Sequence, residues 1–398
     1  MPQSFAPQRV DDPWDWMGPP SNPLQFDSAR FVRGVRTQVA CFVPHDNSYE
    51  RLDNVLLQDC GETDQWDKVE YAYYPVPNKP TMKACAGYVQ KCHVLQRSRR
   101  TADWDDDGVG GKSTLGRLIF EYTPHFVAVK VCSARRIHEL REQNAMEDPL
   151  REVAALQHIG NDAPNVSVCL EALYDQGNEM YNIVMPYYGG GDIYDRLKNN
   201  GRMKEPQARR IFRSIIHGLR TLHDRGICHH DLSIENIMLE SFDSDEAYII
   251  DLGMALRVPY HNRKHDKRCR PPFHKKCLIR PLGACGKRSY MAPEIYRNED
   301  AFDGEAIDVW AAGVVLFCMV TGNGSYRIPV RADATFYWMT HNLRQLLVED
   351  WGFTDLSPEC IDLMENMLRI DPRLRLTLDE ILDHVWLSST NENKQTNK

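Results

Sequence analysis

The spacing of hydrophobic residues changes at the glycine-rich segment 189–192, and this change limits the possible folds more than any other feature. Before it, from about Val39 to Leu170, apolar and β-branched residues form short runs typical of strands, interrupted by one helical pattern, PLREVAALQHI. After it the spacing is helical, and in segment 206–226 the apolar residues share one face: Ala208, Ile211, Phe212, Ile215, Leu219 and Leu222. The pattern predicts an α+β fold with a small β-rich lobe containing one main helix and a larger helical lobe.

The composition is typical of a soluble, folded chain. The 398 residues are 42% hydrophobic and 26% charged, with a net charge of −8. No apolar run reaches the roughly 18 residues that span a bilayer, and the N-terminus lacks the basic start and apolar core of a secretory signal. Twelve cysteines without paired spacing favour reduced thiols. We therefore expect a cytoplasmic or nuclear protein with neither membrane nor nucleic acid as a partner.

Polar side chains interrupt apolar segments at regular positions along the chain. Lys130 interrupts the strand FVAVKVC, and Glu152 follows it in the one helix of the first lobe. Asp231 and Asn236 are five residues apart in HHDLSIEN, and Asp251 follows an apolar strand and precedes Leu-Gly. Each feature alone has an ordinary explanation, since a lysine at a strand end is usually solvated and Asp-Leu-Gly is a common turn. The occurrence of all these features in one order along the chain is more specific than any one of them.

Further motifs continue this order and reveal a resemblance. They are the segment MAPE, which ends at Glu294, then Asp308 and Gly313 in AIDVWAAG, and Arg375 in DPRLRLT. Together with the earlier motifs they resemble eukaryotic-type protein kinases over about residues 80–387. The resemblance implies a bilobal protein-kinase fold with an N-lobe at 80–187 and a C-lobe at 188–387. We expect residues 1–36 to be a disordered extension, 37–79 an extension of uncertain structure, and 388–398 a polar tail.

The resemblance also implies the catalytic roles. Lys130, paired with Glu152, would hold the phosphates of ATP, and Asp231 would orient the acceptor hydroxyl. Asn236 and Asp251 would bind Mg²⁺. Glu294 would pair with Arg375 to hold the substrate platform.

The adenine site follows from the same resemblance. Met185 falls at the gatekeeper position, and the carbonyl of Pro186 and the amide of Tyr188 would bind adenine. A proline is tolerated at residue 186 because only its carbonyl is used. Asp192 would meet the ribose, although a helix N-cap after glycines is an equally good reading that is compatible with the first.

The glycines that cover the phosphates have two candidates. Gly87 and Val89 match the end of the kinase glycine-rich pattern, whereas Gly108 and Gly110 have a usual distance from Lys130. We favour Gly87, because the acidic run 105–107 beside the other pair would repel phosphates. Segment 108–114, GVGGKST, also resembles a Walker A loop, but residue 106 is aspartate where that motif needs glycine.

The catalytic loop lacks two cations that the family usually has. The arginine position holds His230 and the lysine position holds Ser233. The platform position that normally pairs with the lysine, usually a threonine, holds Lys287. We therefore predict that Ser233 and Lys287 are an exchanged pair, with Lys287 supplying the cation from the platform.

The activation segment, residues 251–294, is unusually basic. Residues 254–290 contain eleven Lys or Arg against the single acid Asp266, and their only hydroxyl side chains are Tyr260, Ser289 and Tyr290. A solvated loop, an acidic partner and nucleotide phosphates are all open readings of this segment. The segment also contains four residues of types that bind zinc: Cys269, His274, Cys277 and Cys285. They could hold a structural zinc ion, but ordinary loop cysteines in a reducing compartment are the default interpretation.

These features predict an ATP- and Mg²⁺-dependent kinase acting on Ser/Thr hydroxyls of protein substrates. The loop lacks the arginine near the asparagine that tyrosine-specific members carry. Glu235 lies where several members meet a basic substrate residue upstream of the acceptor. The alternatives are a pseudokinase acting as a nucleotide-binding or scaffold module and, far less compatible with the motifs, a P-loop NTPase.

Overall fold

The chain divides into two compact units, here the β-rich unit and the helical unit. The computed structural model describes residues 18–59, 69–98, 119–262 and 274–388. Within those ranges the β-rich unit comprises 27–162 and 167–187, and the helical unit comprises 18–26, 163–166 and 188–388. The predicted α+β fold, with strands mostly in one part and helices in the other, is confirmed.

The elements are numbered in chain order. Strands up to residue 186 are β1 (Gly18–Ser21), β2 (Val32–Val43), β3 (Ser48–Gln58), β4 (Tyr71–Pro75), β5 (Met82–Ala84), β6 (Gly87–Arg97), β7 (Ile119–Ser133), β8 (Glu171–Asp175) and β9 (Met180–Pro186). Later strands are β10 (Ile227–Cys228), β11 (Ile237–Leu239), β12 (Ala247–Ile249), β13 (Leu256–Arg257), β14 (Tyr260–Asn262) and β15 (His274–Ile279). The helices are α1 (Ala134–Glu142), α2 (Pro149–Ile159), α3 (Ile193–Asn200), α4 (Glu205–Asp224), α5 (Pro293–Arg297), α6 (Gly304–Thr321), α7 (Ala334–His341), α8 (Pro358–Met367), α9 (Leu378–Asp383) and α10 (Val385–Ser388).

The strands of the β-rich unit close into a ring. Their order is β4-β3-β2-β8-β9-β7-β6-β5, and β4 also pairs with β6, so β2, β3 and β4 complete a circle with the strands that follow. Strand β2 runs parallel to both β8 and β7, and its hairpin partner β3 runs antiparallel. Closing the ring pairs strands that would otherwise present open edges.

A single apolar core joins the early strands to the later ones. Val55 and Leu57 of β3, Leu95 of β6 and Phe120 of β7 are fully buried in one cluster. Because burial of such side chains is a main stabilising contribution, the early strands are an integral part of this unit.

The structure corrects the sequence-based boundaries of the N-terminal part. Residues 1–36 were expected to be a disordered extension, but β1 and the first residues of β2 lie within it. The extension of uncertain structure, 37–79, forms most of β2 together with β3 and β4, so the sheet has no boundary at residue 80. Residues 1–17 and 389–398 lie outside the described ranges.

The main helix predicted in the first lobe is present, and a second, shorter helix accompanies it. The helix predicted from PLREVAALQHI is present as α2, and it is preceded by α1. Ser133 caps α1 by accepting a hydrogen bond from the Arg136 amide. Only Ile137 of α1 is buried, so its sequence lacks the wide apolar face that would have indicated a helix.

The helical unit is built around α4 and α6. The apolar face predicted in segment 206–226 is present in α4, and all six residues of that face are buried. Helix α6 is buried along nearly its whole length, including the charged residue Asp308. It therefore offers a fixed base for the loops that contact it.

By length and composition alone, α6 is the one helix in the described part of the chain that could cross a membrane. Its apolar window has a mean hydropathy of 1.6, and 94% of that window is buried inside the structure. The core helix of a soluble domain has the same properties, so this is weak evidence for a membrane span.

We predict that Leu57→Ala destabilises the β-rich unit by about 2–5 kcal/mol, since it opens a cavity in the shared core. Hydrogen exchange should then accelerate in β6 and β7 as well as in β3, because these strands share that core. Hydrogen-exchange mass spectrometry and thermal unfolding of the full chain measure both effects.

The matched control is Val32→Ala in β2, because the Val32 side chain is 47% exposed. It should change exchange and the unfolding temperature little. If Leu57→Ala leaves β6 and β7 as protected as in the parent, the early strands do not share their core.

Candidate active site

In the β-rich unit, β7 and α2 bring Lys130 to Glu152. Helix α2 begins after Asp148, whose side chain accepts a hydrogen bond from the Leu150 amide, and Pro149 occupies its first turn. Lys130 Nζ lies 2.6 Å from Glu152 Oε2, and the two side chains are only 6% and 3% exposed. The ion pair predicted from the spacing is present. Removing either partner would take this ion pair away from a charge that stays buried, which is costly.

The β5–β6 hairpin carries the glycine predicted to cover the phosphates. Val89 of β6 lies directly opposite Lys130 of β7. A Cβ atom on Gly87 would lie 1.9 Å from the carbonyl oxygen of Val131, so the close approach of these strands requires glycine. The roles of Gly87 and Val89 stay predictions. The competing candidates lie outside the described residues: Gly108, Gly110 and the Walker-like segment 108–114.

In the helical unit, the buried carboxylate of Asp308 holds the backbone that leads to the predicted catalytic aspartate. Asp308 Oδ2 accepts the His229 amide at 2.7 Å, and Oδ1 accepts the His230 amide at 2.9 Å. His223 Nε2 lies 2.9 Å from Oδ2. Burial acts to raise the pKa of Asp308, but hydrogen bonding and the nearby imidazoles outweigh it and hold that pKa below its usual range. The carboxylate therefore stays charged and fixes the two residues before Asp231.

The side chain and backbone of Asp231 are both held in place. Its Oδ1 accepts the Lys287 amide at 2.9 Å, and its carbonyl accepts a hydrogen bond from Asn236 Nδ2 at 2.8 Å. Gly286 has a φ of 92°, and a Cβ there would lie 3.0 Å from Asp231 Oδ1. Sequence reasoning missed Gly286, because its positive φ and its close approach to Asp231 are visible only in the structure. Burial raises the pKa of Asp231, and the Lys287 amide acts in the opposite direction.

The side chain of Lys287 reaches the catalytic loop. Its Nζ lies 2.7 Å from Ser233 Oγ and 3.1 Å from Glu235 Oε2. Ser233 is fully buried, whereas the side chains of Lys287 and Glu235 are each 37% exposed. The contact predicted for an exchanged pair is thus present, and the role of Lys287 as the replacing cation stays a prediction.

The predicted metal ligands, Asn236 and Asp251, are connected through the backbone. The Ile250 amide donates to the Asn236 carbonyl at 3.0 Å, and the Ile250 carbonyl lies 3.0 Å from His229 Nε2. Asp251 has a φ of 62°, and its Oδ1 accepts the Gly253 amide at 3.1 Å. These bonds fix the backbone on which both ligand candidates are carried.

His230, at the usual arginine position, packs against neighbouring side chains. It has a φ of 69° and is buried. Its Nε2 lies 3.5 Å from Cys285 Sγ, and its ring stacks on Phe302 with 6.1 Å between centroids and 10° between planes. Neither neighbour could be predicted from the sequence, because both are distant in the chain.

The predicted adenine-site residues are divided between the units. Met185 and Pro186 end β9 in the β-rich unit, while Tyr188 belongs to the helical unit and stacks on Tyr248 with 4.6 Å between ring centroids. Asp192 caps α3, and its Oδ1 accepts the Asp195 amide at 2.7 Å. The N-cap predicted at Asp192 is therefore present, and its contact with the ribose stays a prediction.

The platform is fixed by the predicted pair Glu294 and Arg375. Two guanidinium nitrogens lie 2.6 and 2.8 Å from the two carboxylate oxygens, and Arg375 also donates to the Ala306 carbonyl at 3.0 Å. The guanidinium lies over the ring of Trp310, 4.9 Å from its centroid. A bidentate, buried pair of this type gives a defined geometry to α5.

The zinc alternative finds no support in the described part of the chain. Cys277 and Cys285 are buried and form no disulfide, and no group of three or more His, Cys, Asp or Glu among the described residues could hold a metal ion. Cys269 and the side chain of His274 lie outside the described part.

Comparison with known proteins identifies the family. The protein kinase domain family matches residues 107–387, which is more than half of the chain. The chain therefore belongs to the protein kinase family, and the resemblance drawn from the motifs is confirmed. The P-loop NTPase alternative has no support from this match.

The curated relatives point to the serine/threonine branch. Serine/threonine-protein kinase SRK2E of Arabidopsis thaliana is 29% identical over 204 residues, 51% of each chain. Serine/threonine-protein kinase SRK2D of the same plant is 28% identical over 296 residues, 74% of this chain and 73% of that one. Calcium-dependent protein kinase 4 of Plasmodium falciparum (isolate 3D7) is 28% identical over 288 residues, 70% of this chain and 48% of that one. Two of these matches span about half of the relative's length, and none favours the pseudokinase alternative.

We predict that Lys287→Ala lowers the maximal rate of phosphate transfer by about ten- to a thousandfold, the loss expected for one positioned transition-state donor. Steady-state kinetics with a basic protein substrate measures this. Arg288→Ala is the matched control, because Arg288 is the exposed neighbouring cation, and it should leave the rate unchanged. The exchange Ser233→Lys with Lys287→Thr should recover activity.

The pH profile gives a second measurement on the same variant. A raised pKa means that Asp231 takes up its proton at a higher pH than an ordinary carboxyl group, so the rate is lost earlier as the pH falls. The Lys287 charge lowers that pKa, and its removal should move the acid limb to higher pH. An unchanged rate and an unchanged limb would mean that Lys287 is only a surface residue of the platform.

Proposed function

We propose that this protein transfers the γ-phosphate of ATP to serine and threonine hydroxyls of protein substrates, with Mg²⁺ as cofactor. The observation that carries the proposal is the 2.7 Å contact between Lys287 Nζ and Ser233 Oγ. It supplies a cation to a catalytic loop that lacks its usual lysine, so the loop keeps the charge that phosphoryl transfer requires. The membership of the kinase family supports the same reaction.

Some residues of the site bind the phosphates of ATP, and others orient the acceptor hydroxyl. Asp231 accepts the hydrogen bond of the acceptor hydroxyl and aligns it, since its carboxylate is fixed by the Lys287 amide. Lys130 contacts the phosphates and is itself oriented by Glu152. When bound, Mg²⁺ neutralises the charge of the phosphates. Lys287 stabilises the negative charge that develops on the transferred group.

The donor set fits Mg²⁺. Asn236 and Asp251 offer oxygen atoms, which this hard cation prefers. Asn236 donates through Nδ2 to the Asp231 carbonyl, and this bond fixes the orientation of the amide whose Oδ1 is the candidate ligand. Mg²⁺ in kinases is usually held by one or two protein side chains together with substrate phosphates, so a two-residue set is sufficient.

Substrates and location are part of the proposal. Glu235 would favour a basic residue upstream of the acceptor, although its carboxylate is shared with Lys287 at 3.1 Å, which weakens the preference. The basic activation segment would suit an acidic protein partner. A reducing compartment, the cytoplasm or nucleus, is supported by ten cysteines among the described residues that form no disulfide.

We predict that Asp231→Asn abolishes phosphate transfer while ATP binding is retained. The amide keeps an oxygen for the Lys287 amide, so the local structure should persist, but the acceptor hydroxyl loses its charged partner. Radiolabelled phosphate transfer measures the reaction, and calorimetry with Mg²⁺ and ATP measures binding.

The control for this variant is Asp243→Asn, because Asp243 is an exposed aspartate. It should behave as the parent in both assays. Equal transfer rates for Asp231→Asn and the parent would contradict the assigned role of Asp231.

We predict that bacterially expressed protein stays active after phosphatase treatment. Residues 254–290 contain no threonine, and the arginine that usually receives a phosphorylated residue is replaced by His230, whose ring packs on Phe302. Turnover before and after treatment, with mass spectrometry to verify that phosphate is absent, tests this. Loss of activity together with a removed phosphate mapped to 254–290 would contradict it.

A further inference from the structure

Residues 18–26, here called the N-terminal strap, lie along the activation segment within the helical unit. Strand β1 pairs in parallel with β15, with Gly18 opposite Cys277 and Ser21 opposite Ile279. The Arg280 amide donates to the Ser21 carbonyl at 3.0 Å. β15 is therefore the central strand of a three-stranded sheet, between β1 and β14.

The strap also holds the first part of the activation segment. The Leu24 amide donates to the carbonyl of Arg257, the second residue of β13, at 2.9 Å. Arg257 in turn donates through a guanidinium nitrogen to the Gln25 carbonyl at 2.8 Å, and Arg280 donates to the Pro20 carbonyl at 3.3 Å. The strap thus contacts two separate stretches of the segment through backbone and arginine bonds.

Both stretches continue to the catalytic loop. β13 pairs with β10, which comes directly before His229. Ile279 of β15 exchanges two backbone hydrogen bonds with Phe302, of 2.8 and 2.9 Å, and the ring of Phe302 stacks on His230. Order in the strap and the activation segment is therefore connected by direct contacts to the residues that precede Asp231.

The composition of the strap suits this role. Pro19, Pro20 and Pro23 restrict the chain to extended conformations before any contact is made. An extended, pre-ordered segment loses less conformational entropy when it pairs with a strand edge. Prolines are also tolerated on an edge strand, which is where β1 lies.

We propose that the edge of β15, together with Arg257 and Arg280, is a binding surface for an extended peptide, and that its occupant is the chain's own N-terminal strap. The bound strap keeps residues 256–257 and 277–280 of the activation segment ordered without a phosphorylated residue. This inference rests on the proposed function, because the ordered segment is taken to support phosphate transfer. It differs from that function in assigning a regulatory role to residues far from the catalytic loop in sequence.

The test compares two pairs of full-length variants. Leu24→Pro removes the amide that donates to Arg257, whereas Leu24→Ala keeps it. The double variant Arg257→Ala with Arg280→Ala removes the side-chain bonds to the strap, and Arg297→Ala is its control, an exposed arginine of α5. The double variant leaves the backbone of the strap unaltered, so the test does not depend on how Leu24→Pro folds.

Hydrogen exchange of residues 277–280 and the turnover number are measured for each variant. For Leu24→Pro, which loses one backbone hydrogen bond, and for the double variant, which loses two arginine hydrogen bonds, we expect faster exchange there and turnover lower by about tenfold. Leu24→Ala and Arg297→Ala should match the parent in both measurements. Unchanged exchange in both test variants, or faster exchange with unchanged turnover, overturns the proposal. If the parent itself transfers no phosphate, the proposed function fails, and exchange alone decides whether the strap orders the segment.

Discussion

The buried carboxylate of Asp308 is the interaction on which the geometry of the catalytic loop depends. Hydrogen bonds to an ionised group are about twice as strong as neutral ones, and low surrounding polarity strengthens them further. Asp308 accepts two consecutive amides and lies beside His223, while α6 holds it within the core of the helical unit. The two amides belong to His229 and His230. The backbone that leads to Asp231 is therefore held in place by a residue far along the chain.

Contacts between side chains of a distinctive chemical type at a characteristic spacing could be predicted from the sequence. The pairing of Lys130 with Glu152, and the exchange of Ser233 and Lys287, follow from residue identity at fixed positions, and both contacts are present. The position of Gly286 beside Asp231 depends on a positive φ and a close approach, which one glycine among 24 does not reveal.

Contacts between distant residues of ordinary type could not be predicted. Phe302 and Cys285 surround His230, but a phenylalanine and a cysteine in a loop carry no pattern that points to a partner. The prediction for the N-terminal part was wrong for a related reason. Its prolines, and strands of mixed polarity such as β2, resemble a disordered segment when read alone. They become strands because other strands supply the hydrogen bonds and the apolar core, through pairings across long stretches of sequence.

The two absent cations of the catalytic loop are compensated in different ways, and the difference has a physical reason. In the proposed reaction negative charge develops on the transferred phosphoryl group, so a cation is needed near Ser233, and Lys287 Nζ lies 2.7 Å from the Ser233 hydroxyl oxygen. Holding a loop in place needs only favourable contact free energy, whatever its source. At His230, ring stacking on Phe302 provides such contacts, and backbone hydrogen bonds to residues 18–26 add to them along the activation segment. A charge requirement is therefore kept where charge forms in the reaction, and replaced by packing and strand pairing where the task is order alone.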